Sequence, residues 1–351
     1  METIDLIRAL SQASGVTGYE HEAQQIVRDA FEPVADTLRS DALGNLIALK
    51  RGRGPDDGQR RSILLAAHTD EIGLMVTGTE KGFIRFTRVG GVDTRTILGQ
   101  EVVVHGRRPL PGIIASRPPH VLSPEERNKA ITLDKLFIDV GLTEERLKEV
   151  VQVGDIITMR RDLVGLANGY VAGKAMDDRA GVVSLAVCLR HLQGLAHDWD
   201  VYAVATTQEE VGLKGATVAA YGVAPDIGVA IDVGFGKQKG VDEDDSIDMD
   251  GGPAILVGPN AHPLMHKRLA DAARQYEIKH QFEYATGASG TDAWAIQVSR
   301  QGIPTGLLSI PLRYMHTTVE TLCLRDVERT GRLLAFFIAG LDEAFAVGLG
   351  L

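Results

Sequence analysis

Four short runs without a charged residue, SILLAA (62–67), VYAVAT (201–206), IGVAI (227–231) and TGLLSI (305–310), constrain this chain more than any other feature. Runs of this length suit strands buried on both faces, as in a parallel sheet with helices on either side. Helix-period segments lie between them: 180–192, followed by Gly194 as a stop signal, and 213–221. A last segment, 327–345, turns Leu333, Leu334, Phe337 and Leu341 inward. Near the start, Ala23, Ile26, Val27, Ala30 and Phe31 recur at i, i+3, i+4, i+7 and i+8, and 45–50 reads as a strand before a turn-rich breaker at 52–58. Strands alternating with helices predict a mostly parallel α/β sheet.

Between about 71 and 163 the texture changes. Short runs at 82–87, 101–105 and 112–115 are separated by Gly and Pro, with one good helix signal at 142–150, where Thr143 precedes Glu144 and Glu145. Short strands at this spacing predict a small barrel or sandwich inserted into the first domain. The 351 residues match two domains at about 150 each. The expected division is 1–70 with 164–351 as the α/β domain, and 71–163 as the β-rich insert.

Charge and composition narrow the function. Thirty-seven basic against 47 acidic residues give a net charge of −10, the wrong balance for a face that binds nucleic acid. No stretch reaches the ~18 apolar residues of a membrane span. Two cysteines, Cys188 and Cys323, make no disulfide framework and fit a reducing compartment, and METIDLIRAL lacks the pattern of a secretory leader. A cytoplasmic globular enzyme is the expectation. The acidic run at 241–250 reads as a solvated loop, with a cation-attracting rim as the alternative.

In open α/β sheets, ligands bind beyond the carboxyl ends of the strands. SILLAA is followed by His68 and Asp70, VYAVAT by Glu209 and Glu210 after two further residues, IGVAI by Asp232, and TGLLSI by a segment ending at His316. Asp177 and Asp178 stand before the first long helix of the second half, where an Asp also serves as an N-cap. Adjacent carboxylates at the end of a buried strand need cations or protons. Two histidines and at least three carboxylates make the donor set of zinc, cobalt or manganese, enough for two ions sharing one bridging carboxylate. Asp70, two residues past His68, shares its face in an extended chain and can orient the imidazole. The remaining histidines lack carboxylates at strand ends and read as structural or surface residues. No phosphate-binding glycine loop and no G-x-S-x-G is present.

AAHTDEIGLMV, GKAMDDRAG, TTQEEVGLKGA, AIDVG and RYMHTTVE, in this order, resemble the dinuclear-metal aminopeptidases of metallopeptidase family forty-two, the tetrahedral (TET-type) enzymes that include glutamyl and deblocking aminopeptidases. GGVDTRTILGQ, ASRPPHVLSPEER and LFIDVG look like that family's insert. The resemblance spans essentially the whole chain. It implies a zinc-exopeptidase-like α/β domain with a mixed, mostly parallel sheet, a barrel-like insert that builds dimers, and a hollow homododecamer acting on peptides. It also implies two divalent metal ions per chain, zinc or cobalt first and manganese next. His68 and Asp232 would serve the first, Glu210 and His316 the second, with Asp177 bridging, Asp70 orienting His68, and Glu209 as general base. Trp294 stands where the resemblance implies a small residue. Three other readings stay open: a metal-dependent deacylase or carboxypeptidase on a related core, an endoglucanase-type glycosidase using a carboxylate pair, and an inert metal-dependent scaffold. The glycosidase leaves His68 and His316 unexplained.

Overall fold

A computed structural model of the chain describes residues 1–53 and 60–351. The breaker expected at 52–58 therefore lies, from residue 54 on, outside the described residues. Among the described residues, eleven strands form one mixed sheet. Its centre is parallel, in the order Asp200–Thr206, Ser62–His68, Ile227–Phe235 and Thr305–Arg313. These are the four uncharged runs, and burial on both faces is what their composition requires. Antiparallel strands flank them: Leu46–Lys50 and Thr37–Ser40 on one side, Glu320–Cys323, Tyr170–Gly173 and Val164–Gly165 on the other.

Helices cover both faces. Thr3–Gln12, His21–Phe31, Met176–Leu192, Pro263–Gln275 and Leu324–Ala339 enclose the larger core, around Phe31, Leu65, Val183, Met265 and Phe337. Lys214–Val223 and Asp292–Gln297 enclose the smaller one on the other face. The segment expected as one helix over 327–345 is two, Leu324–Ala339 and Glu343–Leu349. Gly340 ends the first, and the Asp342 carboxylate accepts the Phe345 N–H to start the second. Leu341, in the break, is still buried as its apolar side chain demands.

Six antiparallel strands from Gly73–Glu80 to Ile156–Met159 close into a barrel with its own core, including Leu74, Ile84, Val104, Ile138 and Ile157. Glu144–Val150 is the helix expected there, and the four-residue helices Thr94–Ile97 and Pro124–Arg127 add to it. Among the described residues no helix is long and apolar enough to cross a membrane.

Helices Met176–Leu192 and Leu324–Ala339 cross closely because residue 331 is glycine. A Cβ there would lie 2.5 Å from the Val187 Cβ and 2.6 Å from the Ser184 carbonyl oxygen. Gly331→Val should therefore separate the two helices that carry the larger core. Overpacking of this kind costs about 1–3 kcal/mol, and thermal denaturation should show a melting temperature lower by several degrees; an unchanged melting temperature would contradict this packing.

Candidate metal centre

Parallel register brings the site together. Thr206 pairs with His68, and Ala230 with Ala66, so Asp232 stands level with His68 two residues on. The register thus sets His68 and Asp232 toward the carboxyl ends of the parallel strands, with Glu209 and Glu210 following the Asp200–Thr206 strand and His316 following the Thr305–Arg313 strand.

Asp177 lies at the centre. Its Oδ1 is 3.0 Å from His68 Nε2, and its Oδ2 is 3.3 Å from His316 Nε2. His68, Asp177 and Asp232 form one group of possible ligands; Asp177, Glu210 and His316 form the other, with ligand atoms inside each group within 4.8 Å of one another. Glu210 Oε1 is 3.3 Å from His316 Nε2. Glu209 belongs to neither group. It is buried, and its Oε2 lies 3.8 Å from His68 Nε2.

Asp70 meets His68 chiefly through its backbone, and its carboxylate has other partners. The Nδ1 of His68 lies 3.2 Å from the Asp70 carbonyl oxygen and 3.6 Å from its carboxylate. The carboxylate accepts the N–H groups of Glu209 (3.0 Å) and Glu210 (3.2 Å) and the Thr17 hydroxyl (2.8 Å). One residue thus sets both the imidazole and the turn with the two glutamates. Asp177 and Asp178 depart from helical angles, so the regular helix starts after them; the peptide bond between the two is cis. Asp178 accepts the Gly181 N–H, which is the capping role its sequence position suggests, and also the His68 N–H.

Burial drives the electrostatics. It pushes Glu209 up to about 9, with the charges of Asp232, Asp292 and Glu210 adding and His68 opposing. Asp178 and Asp232 are likewise raised by burial, with the charge of Asp232 adding at Asp178 and that of Asp177 adding at Asp232. Burial also opposes a charge on Asp177, but the bonds to His316 and His68 outweigh it and hold its carboxyl low. Hydrogen bonds that His316 donates to the Asp177 and Glu210 carboxylates carry it up to about 11. A site so crowded with carboxylates stabilises any positive charge within reach, whether a proton or a cation.

Two residues stand out that sequence reasoning passes over. Glu320, 2% exposed, accepts the backbone N–H groups of Met176, Asp177 and His316 at 2.7, 3.2 and 2.8 Å. Burial and the Asp177 charge push it up to about 8. It opens a strand and follows no apolar run, so its position carries no signal. Asp292, 1% exposed, accepts the Thr206 hydroxyl at 2.6 Å, while its Oδ1 has no partner among the described residues; burial pushes it up to about 6. Its neighbour Trp294 is 42% exposed. The acidic run at 241–250 is exposed over 243–245, but its last member, Asp250, is paired with Arg325 and Arg329.

The barrel reaches this centre. A Cβ on Gly91 would lie 2.5 Å from His316 Nδ1, so only glycine lets the barrel's loop pass. Ile72, Val92, Ile97 and Met159 wall a cleft there that opens on Asp177, Glu210 and His316.

Known proteins match this chain along its length. The family described as M42 glutamyl aminopeptidase matches residues 44–333. A lysyl aminopeptidase of Pyrococcus furiosus is 35% identical over 337 residues, 94% of each chain. Among solved structures, a TET aminopeptidase of a marine sediment archaeon of the Thaumarchaeota superposes with a TM-score of 0.92 at 34% identity, covering 99% of both chains. The TET1 peptidase of Pyrococcus horikoshii, which assembles into a tetrahedron or a large octahedral shell, gives 0.82 at 33% identity over 97% of this chain and 100% of its own.

The raised groups give a pH dependence of one sign. Glu209 and Glu320 normally titrate at 4.5 and His316 at 6.5, so above those values the folded chain holds protons that the unfolded chain has lost. The lowered His105, His191, His197 and His262 oppose this only below about 6.5, so stability in the absence of cations should fall as pH rises from about 7 to about 9. The lowered Asp177 acts oppositely, but only as pH falls below its ordinary 3.8. Melting curves of chelated protein should show this decline, and added divalent cation should raise the melting temperature more at pH 9 than at pH 7. A melting temperature that climbs with pH over that range without cations would contradict it.

Proposed function

Since this chain belongs to the M42 glutamyl aminopeptidase family and is an aminopeptidase, a hydrolase acting on peptides, we propose that it removes N-terminal residues from short peptides with two divalent cations. The observation that carries the reading is Asp177, whose two carboxylate oxygens face two different histidines, each within a separate group of ligands. A carboxylate placed so is suited to bridging. The donor set of imidazole and carboxylate fits zinc, cobalt or manganese, and buried carboxylates such as Asp232 gain the counter-charge that burial demands. His68 and Asp232 would hold one cation, Glu210 and His316 the other, and Asp177 both. Bound there, the two ions polarise the scissile carbonyl and lower the pKa of the attacking water.

Glu209 serves as the base. Kept ionised by the cations that would sit beside it, Glu209 takes a proton from the attacking water on its carboxylate and passes it to the leaving amine nitrogen as the C–N bond breaks. Asp70 fixes the glutamate's backbone, so the base is held rather than sought. Its carboxylate lies outside both ligand groups, so Glu209→Gln should keep both cations while turnover falls ~10²–10⁴-fold. Near-normal turnover with the cations retained would remove Glu209 from this role.

Reaction type is tested on one peptide with a free and with an acetylated N-terminus, products followed by mass. Stepwise loss from the free end alone is expected. Equal cleavage of both forms, or internal cuts, would point to a deacylase or an endopeptidase instead. A glycosidase would act on a β-glucan in the presence of chelator, and nothing in its chemistry calls for His68 and His316.

The barrel is the unit we assign to assembly, as dimers built into a closed homo-oligomer of twelve chains. Ile113 and Val153 are exposed on it, and the related P. horikoshii peptidase can assemble into a tetrahedron or a large octahedral shell. Light scattering should find a large closed particle; a stable, active monomer at micromolar concentration would contradict the assignment.

A further inference from the structure

Both ligand groups share Asp177, so the place of the second cation depends on how the backbone of Asp177 is held against that of His316. We infer that Glu320 is the positioning residue that sets this separation. The inference rests on the two-cation reading above.

Glu320 occupies the joint between the two segments concerned. It opens the Glu320–Cys323 strand and pairs with Gly173, the last residue of the Tyr170–Gly173 strand. From Gly173 the chain runs through Ala175 to Met176 and Asp177; from the other side it runs from His316 into Glu320. Ala175 and His316 both take positive φ, 55° and 60°, so each segment turns sharply just where its ligand is presented. Backbone in that region does not continue the sheet ladder, and the turning N–H groups need another acceptor. The carboxylate of Glu320 supplies it. Oε2 accepts from Met176 (2.7 Å) and Asp177 (3.2 Å), and Oε1 accepts from His316 (2.8 Å). A single rigid, buried group with two oxygens therefore clamps the bridging ligand to the terminal one.

No isosteric replacement can do the same. Glutamine keeps one oxygen for Met176 and Asp177, and its NH₂ then faces the His316 N–H, donor against donor. Aspartate keeps the charge and both oxygens but is one methylene short of reaching both segments. Either change should let the His316 turn drift from Asp177, while His68 and Asp232, held on the central parallel strands, stay where they are.

The test is calorimetric titration of the metal-free, full-length chain with zinc, and with cobalt followed by its visible absorption. Wild-type protein should take up two cations, and His316→Ala marks which binding step belongs to Asp177, Glu210 and His316. In Glu320→Gln that step should weaken by about ten- to a hundredfold, the usual cost of losing a partner behind a ligand, with the other step changed far less. Turnover should fall at limiting cation and recover at high cation, with KM for the peptide unchanged. Should Glu320→Gln fail to fold, Glu320→Asp is read the same way. Two unchanged steps, or two steps weakened alike, would show that Glu320 merely supports the fold and would overturn the inference. A wild-type chain that takes up a single cation would instead defeat the two-cation reading, and the positioning role with it.

Discussion

Carboxylates at the ends of buried strands cannot all remain charged unless something positive sits among them. That constraint organises this molecule. Asp177, Asp178, Glu209 and Asp232 lie together at one edge of the sheet, buried and with two imidazoles for company. The desolvation of an unpaired buried carboxylate is large, and a protein that retains several in one place holds protons or cations there. The parallel register that lines up the strand ends is also what creates the problem, because it brings Asp232 and the Glu209–Glu210 turn beside His68, where the Asp177–Asp178 helix start joins them.

The neighbouring structure resists the mutual repulsion by fixing backbone as well as side chains. Asp70 holds the Glu209–Glu210 turn by two N–H bonds. Behind it, Glu71 joins the buried Lys174 at 2.8 Å and Arg179 at 3.3 Å, and Arg179 reaches back to the Thr69 carbonyl and to the end of the first helix at Ala13. Lys174 and Arg179 flank the Asp177 turn in sequence, so this cluster ties the turn to the strand that carries His68. Removing one member of such a cluster leaves an uncompensated buried charge, which is why the set acts as a unit.

Much of this was legible in the sequence, for physical reasons that differ from place to place. The four uncharged runs read as strands because each is too short for a buried helix and is bounded by polar or turn residues, and polar residues placed at their ends point to a site. The barrel could be read from the change to short strands broken by Gly and Pro. Glu320 and Asp292 were not legible: their importance lies in hydrogen bonds to backbone and hydroxyl groups far away in sequence, and no periodicity marks such contacts. The break at Gly340 was hidden because the apolar spacing continues through it to Leu341. Asp70 could be read only in part, since its bonds to Glu209 and Glu210 span about 140 residues.

The central claim is that the paired ligand groups around Asp177 exist to hold two cations on which hydrolysis depends. The most direct measurement strips the protein with chelator, returns zinc or cobalt in known amounts, and follows metal content and peptide hydrolysis together. The account predicts an inactive stripped protein whose activity returns as uptake approaches two ions per chain. Full hydrolysis by protein shown to be free of metal would contradict it.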